Sequence, residues 1–275
     1  MAQILLAPTV LAGGGFSYHY RSDSDGKFEI RDVSPGSYVI QAFGSPVLRV
    51  EVGSKDIENV VIPMSTLPPI KGRLLLDGNT GPLPLDLSLL VPELFGSLGK
   101  AERIPGRILP DGTFSTEGAF PGTFQVSFMY LPESFYLKQV IQTSKDVLLS
   151  GIQLDSSSSS QIDLILGKST RAVSGTVLNS DNRRAAGALV VFIPAEAYRG
   201  RADRYRRAVT DAAGQFRVVG LPPGSYTAYA FDEVTGDAFY DPEFLRRYAG
   251  RGVDVTISDV TDATANPKLI LVDQP

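Results

Sequence analysis

Apolar and polar residues alternate with a period of two along most of this chain, in short runs broken by Gly, Pro, Asp and Ser. That rhythm predicts short, half-buried β-strands and little helix. The most regular stretch runs from Thr210 to Ala230. Phe216 and Val218 alternate toward one face before Pro222-Pro223-Gly224, and Tyr226, Ala228 and Ala230 do the same after it. It reads as strand, Pro-Gly turn, strand: a hairpin in which Gly214 ends a polar turn and Pro223-Gly224 makes the reversal.

The pattern recurs. Aligned on Gly26, Gly112 and Gly214, the chain shows Phe28, Phe114 and Phe216 two positions on. Pro35-Gly36, Pro121-Gly122 and Pro223-Gly224 follow, and then Tyr38, Phe124 and Tyr226. The alternating partners Ile30, Thr116 and Val218, and Ile40, Val126 and Ala228, keep step without a gap. Three copies of one β module account for this.

Upstream the register is looser. Leu5-Leu6-Ala7-Pro8, Leu89-Leu90-Val91-Pro92 and Val191-Phe192-Ile193-Pro194 align by composition. Ile70-Lys71-Gly72-Arg73-Leu74 matches Val173-Ser174-Gly175-Thr176-Val177 as an opening strand, for which the first copy has no counterpart. That copy is therefore expected to expose an unpaired edge or to borrow a strand. The segment Ile4–Ala12 also resembles a signal-peptide apolar core, but no Lys or Arg precedes it, and the repeat register explains it better. Downstream, Val50-Glu51-Val52, Ile152-Gln153-Leu154 and Val255-Thr256-Ile257 each precede a second apolar run, at Val60–Ile62, Ile162–Leu164 and Leu269–Leu271. The serine run Ser156–Ser160 then falls inside a module, as the loop before its last strand, although its composition would suit a linker.

The expected architecture is all-β: three tandem antiparallel Greek-key β-sandwich modules, prealbumin- or Ig-like, over residues 1–66, 67–169 and 170–275, the first without its opening strand. A short helix is expected near 242–249. Asp241 can cap it, Pro242 suits its first position, Glu243 favours the positive end of its dipole, and Gly250 can end it.

On the pattern Asp-x-x-Gly-x-Phe-x-Val-x-x-Leu-x-Pro-Gly-x-Tyr, complete from Asp211 to Tyr226, the chain resembles tandem carboxypeptidase regulatory-like domains. The opening Gly175-Thr176-Val177 and the segment Asp241–Leu245 also fit. The second copy departs from the pattern at Leu109 and Thr116. The resemblance implies a prealbumin-like sandwich related in shape to the B-type repeats of collagen adhesins. It also implies a non-catalytic accessory or spacer role in secreted or envelope proteins, and it brings no catalytic residues with it.

Composition narrows the chemistry. The chain has 275 residues, a net charge of −4, no Cys and one His, His19. Without Cys there is no disulfide scaffold, thiolate zinc site or cysteine nucleophile. With a single His there is no Ser-His-Asp triad and no site of the multi-histidine kind used by prealbumin-like hydrolases. No run of about eighteen apolar residues exists to span a membrane, and the slight negative charge does not favour nucleic acid. No cofactor is expected.

Four aspartates near the aligned glycines, Asp23, Asp25, Asp111 and Asp211, read as turn formers rather than calcium ligands. The acids Asp232, Glu233, Asp237, Asp241 and Glu243 bunch without the spacing of a catalytic pair. Twelve of the eighteen arginines lie in residues 170–275, which suggests an Arg–carboxylate network between the 199–207 and 232–243 loops. A Lys–Asn crosslink between Lys168 and Asn266 is a weaker alternative. The expected function is a spacer and protein-interaction segment of a larger protein that is periplasmic, cell-surface or extracellular, its partners being other domains of the same polypeptide or envelope proteins. The alternative is polysaccharide binding through Tyr198, Arg201, Arg204, Tyr205, Tyr240, Arg247 and Tyr248 in the third copy. The absence of Trp weakens it.

Overall fold

The structure is a computed structural model of the full chain, and it describes residues 1–9, 18–42, 45, 47–64, 69–79, 81, 83–95, 103–118, 121–155 and 161–272. Ser156–Ser160 and the joint at Leu67-Pro68 lie outside the described residues. By compactness the chain divides into two units, one of Met1–Leu75, Asn79–Tyr130 and Gln139–Leu164, the other of Leu76–Gly78, Leu131–Lys138 and Ile165–Pro275.

The strands fall into three sets along the chain. In the first, β1 (Gln3–Pro8), β2 (Tyr18–Arg21), β3 (Gly36–Ala42) and β4 (Leu48–Val52) form one sheet in the order β2-β1-β3-β4. Ile4, Leu6, Tyr38 and Ile40 are its buried face, so the apolar start of the chain is a sheet strand here. His19 lies exposed on β2, with Tyr18 and Tyr20 half-buried on the other face.

The second set comprises β5 (Pro69–Leu76), β6 (Val91–Phe95), β7 (Arg103–Ile108), β8 (Thr113–Gly118), β9 (Gly122–Met129), β10 (Phe135–Gln142), β11 (Lys145–Asp146), β12 (Ile152–Leu154) and β13 (Gln161–Lys168). They run in the order β11-β10-β13-β5-β8-β7-β6-β9-β12.

In the third set, β14 (Ala172–Thr176), β17 (Gln215–Val219) and β20 (Ala263–Thr264) form one sheet, ordered β17-β14-β20. A second sheet runs β16 (Arg206–Val209), β15 (Leu189–Pro194), β18 (Gly224–Phe231) and β19 (Val253–Ile257), with β21 (Leu269–Ile270) parallel to β18. The two enclose a core of Val173, Phe192, Phe216, Val218, Tyr226 and Ala228 among others.

Three expectations are corrected. First, the repeated motif is not a hairpin, and in the third copy it is an arch between two sheets. β17 and β18 sit in different sheets, and β8 and β9 are not neighbours. Phe216 before the turn and Tyr226 after it reach the same core from opposite layers, an arrangement that alternation alone cannot distinguish from a hairpin.

Second, the copies align differently ahead of the motif. Pro8 faces Tyr38 and Pro194 faces Tyr226, as expected, but in the second copy it is Leu94, not Leu90, that occupies the place of Leu6 and Phe192. The slip of four residues is even, so the same face stays buried.

Third, neither Phe28–Ile30 nor Val60–Ile62 joins a ladder; both segments are irregular.

In each copy the polar turn keeps one backbone frame. The first residue's N–H donates four residues on and its carbonyl accepts from the glycine, at Asp23, Leu109 and Asp211 alike. Asp23 Oδ1 accepts from the N–H of Asp25 and Lys27, and Asp211 Oδ1 from those of Ala213 and Gln215. Where Leu109 stands in the second copy, Asp111 takes over and accepts from the Thr113 N–H and hydroxyl. Those two bonds lower the Asp111 pKa. The frame tolerates the exchange because the backbone bonds carry it and the carboxylate only reinforces it.

Candidate functional site

The third repeat concentrates the arginines and aromatics, and its β15 explains how they are held. Leu189-Val190-Val191-Phe192-Ile193 is apolar at every position, the signature of a strand covered on both sides. Val190 and Phe192 point into the sandwich, while Val191 and Ile193 point outward beneath a second apolar layer. Tyr205, Tyr229, Phe231, Phe239, Phe244, Leu245 and Tyr248 build that layer. The helix α1 (Pro242–Arg246) is its lid. Asp241 caps it through a bond from the Glu243 N–H, Pro242 starts it, and Gly250 follows at a positive φ of 79°. It is shorter than the sequence suggests, its last turn passing into reverse turns.

Between β15 and β16 the chain makes two 3-10 turns, Glu196–Tyr198 and Ala202–Arg204, that turn arginines inward. Arg204 is only 5% exposed. Its guanidinium lies 4.8 Å from the Tyr198 ring centre and 5.5 Å from that of Tyr136, and donates to the Leu137 carbonyl at 2.8 Å. A flat, weakly hydrated cation suits that slot between rings. Arg201 is also buried and pairs with Asp203 at 2.8 Å.

The seven residues singled out from the sequence are thus divided by the fold. Arg201, Arg204, Tyr205 and Tyr248 are buried, and Tyr198 is half-buried against Arg204. Tyr205 donates to the Arg199 carbonyl at 3.0 Å, and its ring meets that of Tyr240 at 4.5 Å. Tyr248 packs against Phe231 and Phe244 at 5.3 and 5.1 Å. Tyr240 is 39% exposed, and the exposed Arg247 lies over Phe244 and Tyr248. Burial raises the pKa of Tyr205 and Tyr240. The fold therefore brings most of these rings together as packing and leaves Tyr240 and Arg247 facing solvent.

The acids are engaged locally. Asp232 accepts from the N–H of Glu233 and of Val272, Asp241 caps α1, and Glu243 pairs with Arg246 at 2.7 Å. Only the exposed pair Arg207–Asp237, at 3.4 Å, links the two loops among the described residues. The expected inter-loop Arg–carboxylate network is therefore replaced by arginine stacking and bonds to carbonyls. Lys168 lies over the Phe135 ring at 5.9 Å and the Asn266 side chain accepts from the Thr176 N–H, so both residues of the alternative crosslink are engaged elsewhere. Among the described residues no group of three His, Asp or Glu is placed to hold a metal ion, and no helix is long and apolar enough to cross a membrane.

The Arg204 slot could not be read from sequence, since Leu137 lies 67 positions away. The outer layer left a signal in the unbroken apolar run of β15 together with the aromatics at 229 and 231.

No curated protein matches the chain in sequence. Similar solved structures include a streptococcal ancillary pilin, 14% identical over 92% of this chain and 81% of that one, TM-score 0.31. The Bacillus cereus major pilin subunit is 11% identical over 97% and 93%, TM-score 0.28. The minor pilin of Streptococcus agalactiae is 13% identical over 74% and 97%, TM-score 0.33. The family model of the carboxypeptidase regulatory-like domain matches residues 172–266, the span that contains the complete arch motif and every strand of its two sheets except β21. Over that span the third repeat is similar to the carboxypeptidase regulatory-like domain family.

Proposed function

We propose that the chain is a non-catalytic spacer and protein-interaction segment of a larger secreted or cell-surface protein. The observation that carries this reading is how the third repeat uses its chemistry-bearing side chains. Arg201, Arg204, Tyr205 and Tyr248 are buried in its packing, and the neighbouring carboxylates cap, bridge or pair at short range. Groups committed in this way stiffen a module, and little of their donor capacity is left for a substrate. The family match over residues 172–266 points the same way.

The test is a glycan array probed with the whole chain and with Tyr240→Ala. The scaffold reading expects no saturable glycan binding by either protein. Binding by the native chain that disappears in Tyr240→Ala would replace it with the polysaccharide reading.

A further inference from the structure

Three arginines of the third repeat stay outside its packing. Arg199, Arg247 and Arg251 are exposed, and among the described residues none of their guanidinium groups meets a carboxylate or makes a hydrogen bond. Their sequence neighbours differ. Arg201, Arg207 and Arg246 pair with Asp203, Asp237 and Glu243.

The three free cations gather around two rings, Tyr229 and Tyr248, which both pack on Phe231 at 5.9 and 5.3 Å. Arg247 and Arg251 lie over the same Tyr248 ring, 5.7 and 6.0 Å from its centre. Gly252, next to Arg251, abuts the phenol end of Tyr229, where a Cβ would come within 2.8 Å of Cζ. Arg199 reaches the same tyrosine from the loop after β15. Burial raises the Tyr229 and Tyr205 pKa, and the Arg199 charge offsets part of the rise in both. The Arg199 carbonyl accepts from the Tyr205 hydroxyl, which fixes the backbone there. Among the described residues the Tyr229 hydroxyl makes no hydrogen bond. Asp254 also acts on Tyr229, and its Oδ1 accepts from the Thr227 hydroxyl at 2.9 Å. Three cations thus face one acid that is already engaged.

A guanidinium laid on a ring keeps its N–H edge free, as a planar fork that fits a carboxylate. The rings beneath are buried, so they offer no platform on which a sugar could stack. We infer that Arg199, Arg247 and Arg251 form a docking patch for an acidic segment of a partner polypeptide. Each arginine takes one carboxylate, and the ring beneath holds two of the three in place before the partner arrives. Arginine on aromatic rings is the composition in which binding energy concentrates at protein interfaces. The inference rests on the protein-interaction reading above and names the chemistry of the partner. Its failure would remove this partner and leave that reading standing, because that reading falls only to glycan binding lost in Tyr240→Ala.

The test is fluorescence anisotropy of a labelled deca-glutamate peptide titrated with the whole chain at low ionic strength. The chain has a net charge of −4, so a polyanion is not drawn to it without a local patch. The expected result is saturable binding that added salt weakens. Arg199→Gln, Arg247→Gln and Arg251→Gln should each weaken it at least threefold, and the triple variant more than tenfold. Arg199 stacks on no ring among the described residues, so its variant reads charge without disturbing a ring contact. Arg183→Gln, an exposed arginine in the Asn179–Arg183 turn, should bind as the native chain does. No saturable binding, a triple variant that binds like the native chain, or an equal loss in Arg183→Gln would overturn the inference. Tighter binding of a heparin oligosaccharide through the same three arginines would also overturn it, by making a polysaccharide the partner.

Discussion

Gly175 lies directly against the carbonyl of Ala265, with the Phe216 ring closing over its other side, and no side chain fits between them. Gly72 stands in the same relation to Ile162 and Phe114. The constraint is one of space, set by how closely the opening strand passes its parallel neighbour.

Gly175→Ala should therefore destabilise the third repeat by about 2–4 kcal/mol, through backbone displacement in a packed core. Gly200, where a Cβ would meet nothing within 4 Å, is the control. Gly200→Ala should change stability by no more than about 0.5 kcal/mol. Urea unfolding of the two variants checks both.

Tyr226 donates its buried hydroxyl to the Pro222 carbonyl at 3.0 Å, tying the arch to its own turn. Burial holds its pKa up to about 12, above the ordinary value of 10.0. The folded protein thus keeps this proton more tightly than the unfolded chain does. The resulting stability is complete below pH ~10 and is lost as pH climbs toward 12. Tyr226→Phe should cost about 1 kcal/mol at pH 7 and should soften the fall in stability between pH 10 and 12. Unfolding midpoints measured across that range show both effects.

Arg204→Ala empties a slot between two rings and leaves the Leu137 carbonyl without this donor. A loss of about 2–4 kcal/mol is expected. Arg204→Lys should recover less than half of it, because an ammonium neither stacks flat nor sheds its hydration as a guanidinium does. Thermal melts of the pair, read beside the native chain, decide it.

The outer aromatic layer makes a contrast between two tyrosines. Tyr248 is 3% exposed and Tyr240 is 39% exposed. Tyr248→Ala should cost about 3–5 kcal/mol, as large-to-small changes in a packed aromatic cluster do. Tyr240→Ala should cost about 1 kcal/mol, chiefly its contact with Tyr205. Equal losses, measured by urea unfolding, would show that the layer is looser than its ring contacts imply.

Much of the fold was legible because Phe, Pro-Gly and Tyr recur at fixed spacing, and that spacing reports which side chains must share a core. It does not report which sheet each strand joins. Phe216 and Tyr226 face the same interior whether the segment is hairpin or arch, so that distinction needed the ladder partners. The four-residue slip that puts Leu94 in the place of Phe192 was hidden for a related reason, since an even slip keeps the buried face unchanged. The candidate surface was legible only as a crowd of Arg and Tyr. Their inward turn depends on Leu137 and Tyr136, distant in sequence, and on β15 being covered on both sides.

The central claim is that the Phe, Pro-Gly, Tyr motif recurs in one frame, laddered in the third repeat and outside any described ladder before the turn in the first. Hydrogen exchange of the whole chain tests it most directly, by comparing amides 28–33 and 57–62 with amides 215–219 and 263–265. The account predicts exchange at least a hundredfold faster in the first repeat's segments, because their ladder partner is not among the described strands while β17 and β20 flank β14. Equal protection in the two repeats would contradict it.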